Sequence, residues 1–265
     1  MKFCANLSTL LQDIPSLTDR YIQFCRVPSL VNAIECQNPY LHSIDEWNGV
    51  IGKCTKEYKR TPKWILINSP PLFDKCKDIP SNDDFENKVL KQTLEYAKAF
   101  NVRKVHLILQ DTNDVYEFLQ QEPLIVFMPK MEDLLKYAAR FMAPHNITCV
   151  IEPLSIRPNY YLRSYPLAKE IVRTVNESNL KVMLDTFHLQ KLHGNITENI
   201  DLIKEVVGHV QISQTPLRDS PMNSGEVDHK YVLNCVSKFY TDYVGLEYNA
   251  KSDDTLSWTE SFKNV

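Results

Sequence analysis

Glycine is scarce in this chain, six residues among 265, and no GxGxxG pattern follows the first apolar run. A dinucleotide fingerprint needs such glycines for its tight turn and for the approach of backbone to pyrophosphate, so no nucleotide cofactor is expected. Paired CxxC spacing is also missing. The seven cysteines are an odd number, and Cys4, Cys36 and Cys149 fall inside apolar runs, where a reduced thiol packs as a small apolar group. A disulfide framework and a thiolate metal site are therefore not expected. The net charge of −3 is spread without a block of like charge, which leaves no basic surface for nucleic acid. No run approaches the roughly 18 apolar residues of a membrane-spanning helix. The opening MKFCANLSTLLQDIP lacks the apolar core and small-residue cleavage site of a secretory signal, so the expectation is a cytoplasmic protein with no membrane partner.

What the chain does contain is a regular alternation. Apolar, β-branched runs occur at 3–7, 31–36, 64–70, 104–110, 147–153, 180–186, 207–213 and 243–249. Helical spacing of apolar residues lies between them, over 17–25, 43–56, 85–100, 130–142, 165–175, 197–206 and 229–239, with a short last helix in the tail. The segment 111–124 is poorly patterned. Strand and helix recurring at roughly 30-residue intervals indicate parallel βαβ units. Eight of them predict an α/β fold of the (β/α)8 TIM barrel type, as one domain over 1–265. An open doubly wound sheet is the alternative, and the missing glycine fingerprint speaks against it. In such barrels the site forms at the C-terminal mouth, from strand ends and the loops after them.

Four of these runs deliver an oxygen-bearing side chain at their ends: Glu152 in ITCVIEP, Asp185 in LKVMLDTFH, Gln211 in VGHVQIS and Glu247 in YVGLEYN. An ionised carboxylate in an apolar setting is strongly unfavourable unless it is paired or holds a metal. Any one of these acids could cap the following helix or meet a lysine. Three acids and an amide at equivalent ends of neighbouring strands argue instead for a common cation. Hard oxygen donors suit Mg²⁺ or Mn²⁺ better than zinc. A divalent cation flanked by two glutamates suits carbonyl polarisation, with one carboxylate removing a proton from the neighbouring carbon and the other returning it.

Other residues fit around that set. His188, three residues past Asp185, is a candidate to hydrogen-bond a substrate oxygen, or else an ordinary loop histidine. Arg218, on the long loop after the seventh run, offers a bidentate fork for a substrate carboxylate, or else a solvated charge. Arg157 is a weaker candidate of the same kind. Glu226 reads as a helix cap or a support for the site, His106 as a core histidine or an inward polar group, and Glu35 as an acid near the mouth.

These residues stand in segments that resemble the hydroxypyruvate isomerase family of xylose-isomerase-like barrels. The resemblance runs from FCANLS through LEYAKAFNVRKVH, YAARFMAPHNITCVIEPLS, LDTFHLQKLHGNIT, HVQIS and GEVDHKYV to GLEYNA. It covers nearly the whole chain, and LDTFHLQ followed by Gln211 is its most specific part, because sugar-epimerase relatives usually carry histidine at that ligand position. The resemblance implies metal ligands Glu152, Asp185, Gln211 and Glu247, a proton-transfer pair Glu152 and Glu247, and interconversion of hydroxypyruvate with tartronate semialdehyde. The sequence departs from the family in NSPPLFD, LILQ and QISQTPLRD, where relatives tend to carry glycine. Altered loop conformations at the mouth are expected there.

Competing expectations remain on the same barrel. A ketose 3-epimerase or other small-sugar isomerase would present a hydroxyl to Arg218 in place of a carboxylate. A lapsed barrel would bind a metabolite without turnover. A metal-dependent endonuclease would want several histidine ligands and a basic surface, against which the scattered histidines and slight acidity argue. The partner expected is a small hydroxy-keto acid or sugar, and a homo-oligomer is left open.

Overall fold

The computed structural model describes residues 1–71, 80–108, 124–158 and 160–262. Eight parallel strands, β1 Lys2–Asn6, β2 Ala33–Cys36, β3 Lys63–Asn68, β4 Lys104–His106, β5 Thr148–Ile151, β6 Leu180–Asp185, β7 Val207–Ile212 and β8 Tyr243–Leu246, follow one another around a closed barrel. Closure comes from β8 against β1, with Lys2 opposite Tyr243 and Ala5 opposite Leu246. Both faces of such strands are covered, by helices outside and by side chains within, which is why they read as unbroken apolar runs. The (β/α)8 TIM barrel predicted from the alternation is the architecture found.

The outer layer consists of α1 Leu17–Arg26, α2 Ile44–Tyr58, α3 Asn82–Phe85 continuing through a π-helical turn Glu86–Leu90 into α4 Lys91–Ala99, α5 Leu124–Met142, α6 Tyr165–Val175, α7 Thr186–His193, α8 Ile196–Ile203 and α9 His229–Val236. Local chemistry starts and stops them. Ser43 and Glu46 form a reciprocal capping box at α2, the Ser43 hydroxyl accepting from the Glu46 N–H at 3.2 Å and the Glu46 carboxylate from the Ser43 N–H at 2.7 Å. Of the eight non-glycine residues with positive φ among the described residues, four are asparagines, Asn101, Asn146, Asn176 and Asn195. Asparagine tolerates that conformation better than most residues, so the chain manages with few glycines.

Several boundaries differ from the sequence expectation. β5 and β8 stop at Ile151 and Leu246, leaving Glu152 and Glu247 one residue beyond their strands. β4 stops at His106, and the expected end of that run at Gln110 lies outside the described residues, as does most of 111–124. α5 begins at Leu124, upstream of the expected 130, with Pro129 inside it; the buried Phe127 and Met131 show tertiary packing overriding a proline that reads as a helix start. α7 stands directly after β6, where a loop was expected.

One packed group between barrel and helices is aromatic. Trp64 of β3 stacks on Phe100 at 4.6 Å between ring centroids, and Trp47 of α2 meets the Trp64 ring edge-on at 5.1 Å. Trp47 is fully buried, and its indole N–H donates to the Pro39 carbonyl at 2.8 Å, so both its apolar body and its polar handle are used. Trp47→Ala is expected to lower stability by about 3–5 kcal/mol, read as a lower urea midpoint at unchanged slope.

Candidate active site

At the C-terminal mouth of the barrel lies a chamber of about 190 Å³, lined by Gln37, His106, Glu152, Arg157, His188, Gln211, Arg218 and Glu247 among others. Asp185 closes its side. As the last residue of β6 and the N-cap of α7, Asp185 accepts the Phe187 N–H on Oδ1 at 2.7 Å, which leaves Oδ2 turned toward the chamber. The Tyr165 hydroxyl fixes the backbone here, donating to the Asp185 carbonyl at 3.0 Å and standing 3.1 Å from its N–H. Asp185 and Gln211 are register partners on adjacent strands, so their side chains share a level of the barrel.

Three buried carboxylates, Glu152, Asp185 and Glu247, thus face one space. Arg218 is paired with two of them. Its Nη2 lies 2.9 Å from Glu247 Oε1 and 3.3 Å from Asp185 Oδ2, and its guanidinium carbon sits 5.1 Å from the centre of the Phe187 ring. Arg218 itself takes positive φ, +56°. With that backbone, the loop after β7 brings the Arg218 guanidinium against Glu247 and Asp185. Burial above all raises the Glu152 carboxyl well above its usual range, with Glu247 and Asp185 adding to the rise. Burial likewise lifts Glu247 to about 8, although Arg218 pulls it back.

Several buried polar atoms in the chamber have no hydrogen-bond partner among the described residues. Glu152 Oε1, Gln211 Oε1, His188 Nε2, His106 Nε2 and Arg218 Nε are all unsatisfied, and such groups are costly unless something fills the space between them. His188 is held in a defined state. Its Nδ1 accepts the Ser155 N–H at 3.0 Å, which puts the ring proton on Nε2, the atom facing the chamber. Burial, with Arg218 next, holds the ring well below its ordinary pKa and so neutral. His188 is therefore a buried hydrogen-bond donor in the first turn of α7 and not a loop histidine.

The donor set fits a hard divalent cation. The carboxylate oxygens of Glu152 and Asp185 lie within 4.8 Å of each other, and Glu152 and Gln211 each line the chamber with an oxygen that has no hydrogen-bond partner among the described residues; His188, protonated on Nε2, is a hydrogen-bond donor beside them and not a ligand. All six candidate residues, Glu152, Asp185, His188, Gln211, Arg218 and Glu247, come together. Glu226 does not join them: it is exposed, and Asp228 caps α9 by accepting the Tyr231 N–H at 3.0 Å. Glu35 lies fully buried below the mouth, bonded to His209 and Gln211. His106 lines the chamber with Nε2 3.8 Å from Glu152. The sequence reading missed Gln37, whose amide donates to Glu247 Oε1 at 2.6 Å. Gln37 is the first residue past β2, so the strand-end rule would have found it. Ser155 gives no such signal.

The profile of the xylose isomerase-like TIM barrel matches residues 52–264. The chain belongs to that family. A relative from Drosophila melanogaster named "Putative hydroxypyruvate isomerase" is 31% identical over 70% of this chain and 73% of its own. One from Pectobacterium atrosepticum named "2-oxo-tetronate isomerase" is 29% identical over 98% of this chain and 97% of its own. Among solved structures, one described as AP endonuclease, family 2, from Brucella melitensis superposes with a TM-score of 0.79 at 26% identity, covering 99% of each chain.

The crowding of acids sets a pH dependence. The folded state keeps a proton on Glu247 up to about 8, whereas the unfolded chain releases it near 4.5. Stability is then fully present below the lower value and lost as pH rises toward the upper one. In EDTA the thermal midpoint is expected to fall across that window. Saturating Mn²⁺ is expected to flatten or reverse the slope, since cation binding favours the deprotonated acids.

Proposed function

We propose that this chain is a metal-dependent isomerase of small 2-oxo acids that carry a hydroxyl on the adjacent carbon, with hydroxypyruvate and tartronate semialdehyde as the substrate pair. The observation that carries the reading is the pair of buried glutamates, Glu152 after β5 and Glu247 after β8, facing one small chamber, with burial raising the proton affinity of each above the ordinary carboxylate range. A carboxylate held near neutral pKa can both take and return a proton at working pH. One glutamate takes the proton from C3 of hydroxypyruvate, and the electron pair moves into an enediolate. The hydroxyl proton passes to the former carbonyl oxygen. The other glutamate delivers a proton to C2, which leaves an aldehyde at C3 and a hydroxyl at C2.

Glu152, Asp185, Gln211 and Glu247 would hold a divalent cation, Mg²⁺ or Mn²⁺, whose charge stabilises the oxygens on which negative charge develops. His188 donates from Nε2 to a substrate oxygen, in the tautomer that Ser155 fixes. Arg218 supplies the fork for the substrate carboxylate. The relatives' names support this class, since hydroxypyruvate and 2-oxo-tetronate are both 2-oxo acids with an adjacent hydroxyl. Phosphodiester cleavage, suggested by the name of the Brucella structure, fits less well: the pocket is small and acid-lined, and the chain is slightly acidic. A cytoplasmic setting belongs to this reading, supported by six described cysteines that are all free thiols.

Proton NMR in D₂O with Mg²⁺ and hydroxypyruvate tests it. Deuterium is expected at the carbon beside the carbonyl, with tartronate semialdehyde appearing, and Glu152→Gln and Glu247→Gln each slower by about 10²–10⁴-fold. An inert hydroxypyruvate beside an exchanging ketose would replace the substrate with a sugar. No exchange with any hydroxy-ketone, although metal binds, would favour a lapsed binding barrel.

A further inference from the structure

An amide ligand has two ends, and only one of them can hold a cation. Gln211 presents oxygen to the chamber only if its NH₂ group is engaged elsewhere. That engagement comes from across the barrel: Gln211 Nε2 donates to Glu35 Oε1 at 2.7 Å, while Gln211 Oε1 is buried with no hydrogen-bond partner among the described residues. Glu35, fully buried on β2, accepts from every side. Asn6 Nδ2 reaches the same oxygen at 3.0 Å, and His209 Nε2 and Cys4 Sγ reach the other at 2.8 and 3.7 Å. Asn6 is in turn held by the Ser8 N–H on its own oxygen at 2.9 Å. A carboxylate in such a ring of donors has only acceptor atoms to offer, so the Gln211 group facing it must be the NH₂.

A second observation concerns space. Gly245 on β8 is the register partner of Gln211, and a Cβ there would lie 2.6 Å from both Glu35 carboxylate oxygens and 2.8 Å from Gln211 Cγ. One of the few glycines in the chain therefore stands where the hydrogen-bonded pair needs room. Cys4, Glu35 and His209 could also be read as a metal site, their atoms lying within 4.8 Å of one another. Their polar atoms are already bonded to each other or to neighbours, which leaves nothing for an ion to satisfy.

We propose that Glu35 is a positioning residue: in the space left by Gly245, it binds the Gln211 NH₂ group, turns Gln211 Oε1 into the chamber, and thereby sets the strength of divalent-cation binding. The proposal rests on the metal reading of the chamber. Groups that orient a metal ligand typically contribute about 10–100-fold in affinity, and an amide released from Glu35 turns its N–H groups toward the cation for part of the time.

The test is Mn²⁺ affinity, measured by electron paramagnetic resonance on purified protein without substrate, with circular dichroism to establish folding. Glu35→Leu removes the acceptor and is expected to weaken Mn²⁺ binding by about 10–100-fold. The double variant Glu35→Leu/Gln211→Glu is expected to regain most of that affinity, because a carboxylate presents oxygen whichever way it turns. A merely structural Glu35 would lower the thermal midpoint and leave affinity unchanged. A folded Glu35→Leu protein that binds Mn²⁺ as tightly as wild type overturns the proposal, as does a double variant as weak as the single one. Should Glu35→Leu fail to fold, Gly245→Ala carries the test, since its methyl displaces the Glu35 carboxylate; unchanged affinity there also overturns it. Wild-type protein that takes up no Mn²⁺ overturns the metal reading and this proposal with it.

Discussion

Three buried carboxylates crowd one small space beside the Arg218 guanidinium, and that concentration of acid governs the mouth of the barrel. Glu152, Asp185 and Glu247 are buried by the closure of eight strands, and Arg218 is paired with two of them. Their burial appears as raised carboxyl pKa values and as unpartnered oxygens. An apolar replacement at these positions would remove that cost. Its retention is understandable where the same groups must hold a cation and exchange a proton with a substrate.

The rest of the site depends on how that charged layer is framed. Asp185 is locked by the first turn of α7 and by Tyr165, and His188 is fixed by Ser155 in one tautomer. Below them, the hydrogen bonds among Glu35, His209, Asn6 and Gln211 tie β1, β2 and β7 together in the barrel interior. Each of these contacts removes a rotation from a group facing the chamber. Such preorganisation matters because a side chain that must reorient during reaction gives up part of its electrostatic advantage.

Much of this was legible in the linear chain. Unbroken apolar runs announced strands covered on both faces, and their spacing announced parallel connections closing into a barrel. The acids at the ends of those runs stood out because a strand interior excludes them, so Glu152, Asp185, Gln211 and Glu247 could be picked as one set. The pattern was less informative where a residue's surroundings come from distant chain. His188 read as a substrate contact or a loop histidine, because capping by Asp185, a residue suited to an N-cap, was set aside in favour of metal binding and no helix was read directly after β6. Arg218 read as a fork for a substrate carboxylate or else a solvated charge, and its pairing with Glu247 and Asp185 was not legible because those acids lie far off in the chain. Glu35 was placed near the mouth, although it lies beneath the site.

The sequence by itself determined the barrel, the order of its strands and the oxygen-rich character of its mouth, since these follow from short-range periodicity and from where polarity interrupts it. Only the tertiary structure decided which way each polar group faces. The contact between Glu35 and Gln211 joins residues 176 positions apart, and the glycine that makes room for it lies on a third strand. Hydrogen-bond direction and steric clearance across a closed barrel depend on all its strands being in register at once, and no local pattern carries that information.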